Sequence, residues 1–164
     1  RGKEFALSSF ARQVVLNEKG KGDGFIRHGN LDSTRTYAHI DDAISAYWVC
    51  SESDKFGEVY NIGGLSEKTN IEIVHVLCDI LDELRPLSSG SKIKSYRDLI
   101  SFIKDRPGHD RRYAINACKI ETELNWRPKE TFDSGIRKTV KWYLDNAEWV
   151  DQVISGECRQ WITR

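Results

Sequence analysis

Residues 69–84 read TNIEIVHVLCDILDEL, from Thr69 to Leu84, and this stretch fixes the first element of the fold. Thr69 followed three residues later by Glu72 is a capping box, in which each side chain satisfies a backbone N–H that the helix leaves unpaired. Behind it Ile71, Val74, Leu77, Cys78, Leu81 and Leu84 recur at helical spacing and predict one apolar stripe facing a core. Upstream, Val59-Tyr60-Asn61-Ile62 predicts a short strand stopped by Gly63-Gly64. Downstream, residues 85–95 are polar and Ser/Gly-rich and predict a mobile loop. A short helix or turn over 96–100 and a strand over 101–103 follow.

The same pattern extends to both ends. A helix is expected over 8–16 with Phe10, Val14 and Val15 inward, stopped by the glycines of 17–24. A strand over 25–28, a polar turn over 29–33 and renewed apolar character over 37–40 lead to a helix reaching about Ser51. Asp41 and Asp42 complement the N-terminal dipole of that helix, and Ala43, Ala46, Tyr47 and Cys50 form its expected buried stripe. After the Pro107-Gly108 pair come a brief strand over 113–115 and a helix capped by Asn116 carrying Ile120 and Leu124. Another helix is capped by Thr131 and carries Phe132, Ile136, Val140 and Tyr143, and a last segment covers 148–154. Helices outweigh short strands, so the expected fold is mixed α/β, a single domain over 1–164 without a complete doubly wound sheet.

Composition narrows function mainly by exclusion. Lys plus Arg equals Asp plus Glu at 25 each, which argues against a polyanion-coating protein but leaves room for a local anion pocket. No apolar run reaches the 18 or so residues that span a bilayer. The four cysteines, Cys50, Cys78, Cys118 and Cys158, are scattered; three fall within expected helices and read as small buried or half-buried side chains, and a reducing cytosol is the expected compartment. The chain contains no methionine and starts at Arg1, so a fragment of a longer protein is expected.

The stretch that carries chemistry is Asp105-Arg106-Pro107-Gly108-His109-Asp110-Arg111-Arg112-Tyr113. Pro-Gly suits positions i+1 and i+2 of a type II turn, because proline presets φ and glycine accepts a positive one. Such a turn can aim guanidinium and imidazole groups at one point, and a guanidinium fork suits a pair of phosphate oxygens. Arg35, in a polar turn between two apolar segments, is a second candidate, although an arginine alone is more often a surface ion-pair residue. Catalytic constellations fail: Asp41 and Asp42 are adjacent and diverge on a helix, no two histidines stand at metal-ligand spacing, and no metal site is expected. Gly20, Gly22 and Gly24 follow no strand and read as a turn, not a dinucleotide fingerprint. No tyrosine is followed four positions later by lysine. His75 is expected half-buried or at the surface; His28 and His39 stay ambiguous.

The order of segments resembles a known family. Gly57 to Gly64, the 70–84 helix, the 105–115 run, Leu124-Asn125-Trp126-Arg127-Pro128 and Thr131 to Val140 resemble the C-terminal, substrate-binding part of the dTDP-glucose 4,6-dehydratases. The first 50 residues, with Arg1-Gly2-Lys3-Glu4-Phe5 and Gly29-Asn30-Leu31-Asp32-Ser33-Thr34-Arg35, are more similar to GDP-mannose 4,6-dehydratases. There the arginine is usually followed by Asp and an aromatic; here Thr36 and Tyr37 follow, and Ser8 and Ser9 stand where relatives often carry a lysine.

The resemblance implies an extended short-chain dehydrogenase/reductase, a cytoplasmic homodimer in which an N-terminal Rossmann domain holds NAD and a smaller C-terminal domain holds the nucleotide-sugar. Arg35 would contact the diphosphate, Asn61 would face the nucleotide, and Arg106 and His109 would close over both, with Asp105 holding their loop. The catalytic groups of that reaction belong to the Rossmann domain, so this chain is expected to bind an NDP-sugar without catalysing alone and without binding NAD. An NDP-sugar epimerase, a GDP- or CDP-sugar dehydratase, or a non-catalytic nucleotide-sugar-binding module are the alternatives.

Overall fold

A computed structural model describes residues 6–30, 32–105 and 107–155. The chain runs α1 (Ala6–Glu18), β1 (Ile26–His28), β2 (Thr34–Tyr37), α2 (Ile40–Glu52), β3 (Ser66–Thr69), α3 (Asn70–Leu84) and a 3-10 turn (Tyr96–Leu99). It continues through β4 (Ile100–Phe102), β5 (Arg112–Tyr113), α4 (Cys118–Leu124), α5 (Phe132–Asp145) and α6 (Ala147–Ser155). β1 and β4 pair in parallel. β2 is the centre of a second sheet, antiparallel to β3 and parallel to β5. The mixed α/β class expected from the sequence is the one observed.

Helix α3 is the spine of the main core. Its capping box is formed: Thr69 Oγ1 accepts from the Glu72 N–H at 3.3 Å, and Glu72 Oε2 accepts from the Thr69 N–H at 2.7 Å. Ile73, Val74, Leu77, Cys78, Ile80 and Leu81 are buried against Phe10 and Val14 of α1, Ile26 of β1, Tyr96, Leu99, and Ile136 and Val140 of α5. Each buried aliphatic side chain contributes about 1.5–3 kcal/mol of gross stabilisation. Helix α5 begins with the second expected cap, Thr131 Oγ1 accepting from the Ser134 N–H at 3.1 Å.

A smaller core joins α2 to α4 through Ala46, Ala117, Ile120 and Trp126. The Trp126 indole N–H donates to Ser45 Oγ at 2.9 Å. Asp42, 3% exposed, accepts from the backbone N–H groups of Lys129 at 2.8 Å and Glu130 at 3.1 Å. The sequence assigns Asp42 to the helix dipole, whereas the fold uses it to clamp the segment entering α5. The cap of α2 is His39, whose Nδ1 accepts from the Asp41 N–H at 3.3 Å.

Several expectations are corrected. Residues 59–62 form no strand, because their polar backbone finds other partners and their side chains serve the smaller core: Lys119 Nζ donates to the Val59 carbonyl at 3.2 Å, and Tyr60 and Ile62 pack beside Trp126. The strand lies instead at the polar Ser66–Thr69, held by its register with β2. Tyr47 is 65% exposed, since the small Ala43, Ala46 and Cys50 already fill the side of α2 nearest the core. Ala117, not Asn116, is the N-cap of α4, although Asn116 Oδ1 still accepts from the Cys118 N–H at 2.8 Å. Cys118 is exposed, Cys50 half-buried and Cys78 buried; Cys158 lies outside the described residues. Gly20 and Gly24, with φ of 66° and 82°, turn the chain from α1 into β1, as the sequence suggests. Among the described residues no helix is long and apolar enough to cross a membrane.

Candidate functional site

Arg35 stands on the central strand of the three-stranded sheet and not in a turn, because residues 34–37 pair with β3 and Thr34 and Arg35 pair with β5 as well. Its register partners are Lys68 on β3 and Tyr113 on β5, and directly opposed residues project from the same face of a sheet. That rule explains the contact observed: the Arg35 guanidinium lies 4.6 Å from the centre of the Tyr113 ring. On the other face Arg112 and Glu67 close a two-pronged ion pair at 2.8 and 2.6 Å, which ties β5 to β3 across β2.

The Pro107-Gly108 turn delivers the second group. Gly108 has φ 69°, as the expected turn requires of its second central residue. The turn folds His109 back over Asp105, whose carboxylate oxygens lie 2.9 and 3.0 Å from His109 Nδ1. His109 Nε2 lies 3.1 Å from Arg35 Nη2, bringing together residues 74 apart in sequence. Arg35 Nη2 also donates to the Asp110 carbonyl at 2.9 Å, and Nη1 donates to the Thr34 carbonyl at 2.7 Å. Tyr113 closes the ring by donating its hydroxyl proton to Asp110 Oδ2 at 2.5 Å.

Three of the five residues singled out in the sequence, Arg35, Asp105 and His109, therefore converge. Arg106 lies outside the described residues. Asn61 is exposed in the segment before β3, and among the described residues no hydrogen bond joins it to the cluster. Tyr113 and Asp110 belong to the site and were not singled out; only the register of β2 with β5 could have revealed them. Of the two ambiguous histidines, His39 is a cap and His28 is buried with its ring edge-on to Phe102 at 5.8 Å. His75 is half-buried, as expected.

Arg35, Asp105 and His109 are half-buried, and Asp110 and Tyr113 beside them are exposed. A cleft of about 260 Å³ lies two residues further along β2, lined by Tyr37, His39, Gly64, Phe132 and Ile136, and neither Arg35 nor His109 borders it. The Tyr37 hydroxyl is buried there without a hydrogen-bond partner among the described residues, and burial pushes its phenol up despite the nearby Arg35. A guanidinium and an imidazole suit an anion better than this mostly apolar cleft does. Among the described residues no group of three or more His, Cys, Asp or Glu could hold a metal ion.

A family model for GDP-mannose 4,6 dehydratase matches residues 1–139. The dTDP-glucose 4,6-dehydratases of Escherichia coli and Salmonella typhimurium are 49% and 50% identical over 149 residues, which is 91% of this chain; the chain spans 40% of the length of each. Among solved structures, dTDP-glucose 4,6-dehydratase from Bacillus anthracis in complex with NAD superposes with a TM-score of 0.69 at 35% identity, covering 91% of this chain and 42% of that one. The Streptomyces venezuelae enzyme of the same name, also with NAD bound, gives 0.71 at 31% identity, covering 91% and 41%. The chain belongs to the GDP-mannose 4,6 dehydratase family and shares the fold of extended short-chain dehydrogenases/reductases.

Proposed function

We propose that these residues form the nucleotide-sugar-binding part of an NDP-sugar 4,6-dehydratase, with dTDP-glucose as the substrate. The observation that carries this reading is the meeting of Arg35 and His109, 3.1 Å apart and drawn from separate elements. A diphosphate leaving water requires charge-assisted donors, and the planar Arg35 guanidinium, stacked on Tyr113, is the group that would supply them once it exchanges its present partners for the ligand. Asp105 sets the imidazole, Arg106 supplies a second guanidinium, and Asn61 faces the nucleotide.

The reaction of the whole enzyme oxidises the sugar at C4, removes water across C5 and C6 and returns the hydride to C6; NAD supplies the hydride acceptor. The residues here do not fit that cofactor. Gly20, Gly22 and Gly24 lead from a helix into a strand, the reverse of a phosphate-cradling order, and no tyrosine–lysine pair at four-residue spacing occurs. We therefore assign binding and not catalysis to this chain, and place it in a cytoplasmic homodimer when joined to a coenzyme-binding portion.

Calorimetry with dTDP tests the reading. Arg35→Ala and Arg106→Ala are each expected to weaken binding at least tenfold, the scale of one charge-assisted contact. Affinities equal to the wild type would remove these arginines from the site. GDP binding tighter than dTDP would favour a GDP-sugar dehydratase, the second reading, which the family model over residues 1–139 supports.

A further inference from the structure

A guanidinium grips an oxyanion two-pronged through one of two edges, Nη1 with Nη2 or Nε with Nη2, and both edges need Nη2. The chain displays each use: Arg97 on Asp79 and Arg112 on Glu67 employ Nε and Nη2, while Arg137 on Glu83 employs Nη1 and Nη2. In Arg35 both Nη2 hydrogens are engaged, one on His109 Nε2 and one on the Asp110 carbonyl. Neither edge is open, so Arg35 as it stands cannot take a phosphate two-pronged.

The contact also fixes the state of the imidazole. Arginine can only donate, so His109 Nε2 accepts with its lone pair, and the ring proton resides on Nδ1, where it is donated to Asp105. His109 is therefore neutral while it holds Arg35. Once Arg35 leaves, the bare Nε2 lone pair would face phosphate oxygens, which is repulsive. A proton there makes Nε2 a donor, with the Asp105 carboxylate 2.9 Å from Nδ1 at the other side of the ring.

We propose that the Arg35–His109 contact is a proton-coupled latch on the diphosphate site, so that His109 determines which protonation state of the protein accepts a nucleoside diphosphate. Incoming diphosphate takes Arg35 Nη2 from His109, and the freed imidazole takes one proton from solvent on Nε2 to become a second donor to the ligand. The inference rests on the substrate reading above. The charged and titratable groups around the imidazole are Asp105, Lys104 and Asp110 of its own loop and Arg35 of β2. Next to these stand Tyr113 and Arg111 at β5, Lys68 opposite Arg35 on β3, and His28 at the end of β1, one residue from the Gly29 that abuts Asp105.

Titration calorimetry on the 164-residue chain, with dTDP and separately with inorganic pyrophosphate in two buffers of different ionisation enthalpy, reads the proton count. Uptake approaching one proton per ligand is expected near pH 8, with affinity falling about tenfold per pH unit on the alkaline side. Nitrogen-15 spectra of the histidine rings should show His109 as the neutral Nδ1–H form without ligand and as imidazolium with saturating pyrophosphate at the same pH. His109→Gln should abolish the uptake and flatten the pH profile; the wild-type spectra test the idea independently of whether that variant folds. Binding without proton uptake, with a ring that stays neutral, overturns the latch and leaves the substrate reading standing. Failure of both ligands to bind at millimolar concentration overturns both.

Discussion

Replacing Asp42 by alanine separates two roles that a carboxylate at a helix start can play. A charge that only complements the dipole of α2 is worth about 0.3–1 kcal/mol and is screened by salt. The structure assigns more to it. The carboxylate is 3% exposed and accepts from two backbone N–H groups, Lys129 at 2.8 Å and Glu130 at 3.1 Å. An amide that loses its buried acceptor costs about 1–3 kcal/mol, and water reaches part of this seam, so the loss for Asp42→Ala is about 2–4 kcal/mol. Asp42→Asn keeps one acceptor oxygen and should lose about half of that. With a urea m value of about 2 kcal/mol/M, Asp42→Ala moves the midpoint down by about 1–2 M. Asp41 is exposed, and Asp41→Ala is the matched control, with a shift of under about 0.5 kcal/mol expected. Equal midpoints for the two alanine variants, or a loss at Asp42 that disappears in high salt, would refute the clamp.

Two further outcomes follow from packing. A Cβ on Gly64 would lie 1.9 Å from the Tyr37 carbonyl oxygen at the end of β2, so Gly64→Ala should lower stability by about 1–3 kcal/mol in thermal unfolding. Gly90→Ala, with nothing within 4 Å, should change stability by less than about 0.5 kcal/mol, and similar values for both would contradict the close approach. Burial pushes the Cys78 thiol up to about 12, whereas Cys118 is exposed, so iodoacetamide at neutral pH should label Cys118 in the native chain and spare Cys78 until urea is added. Equal labelling of both without urea would show that the core face of α3 opens readily.

The parts of the fold that were legible are those whose signals lie within a few residues of one another. The capping boxes of α3 and α5 form between Thr69 and Glu72 and between Thr131 and Ser134, and the apolar spacing behind them names most of the core. The strands were harder. β2 and β3 read Thr-Arg-Thr-Tyr and Ser-Glu-Lys-Thr, with no apolar alternation, and are held by backbone pairing that side-chain pattern does not record. Val59 to Ile62 shows the converse, since its strand-like composition serves packing against Trp126 and its backbone joins no ladder. Tyr47 was misplaced because helical spacing gives a stripe and not the side on which small residues meet a neighbour.

By itself the sequence determined the helices, the mixed α/β class, the balanced charge, the Pro107-Gly108 turn and a set of anion-binding candidates. Each depends on dihedral preference, local capping or composition. Only the tertiary structure decided that Arg35 meets His109 across 74 residues, that Tyr113 underlies the guanidinium, and that Asp42 holds Lys129 and Glu130. Those contacts follow from the register of β2 between its two neighbours and from the turn that returns His109 toward it. Register is settled by pairing between distant strands, and no local stretch of the chain encodes it.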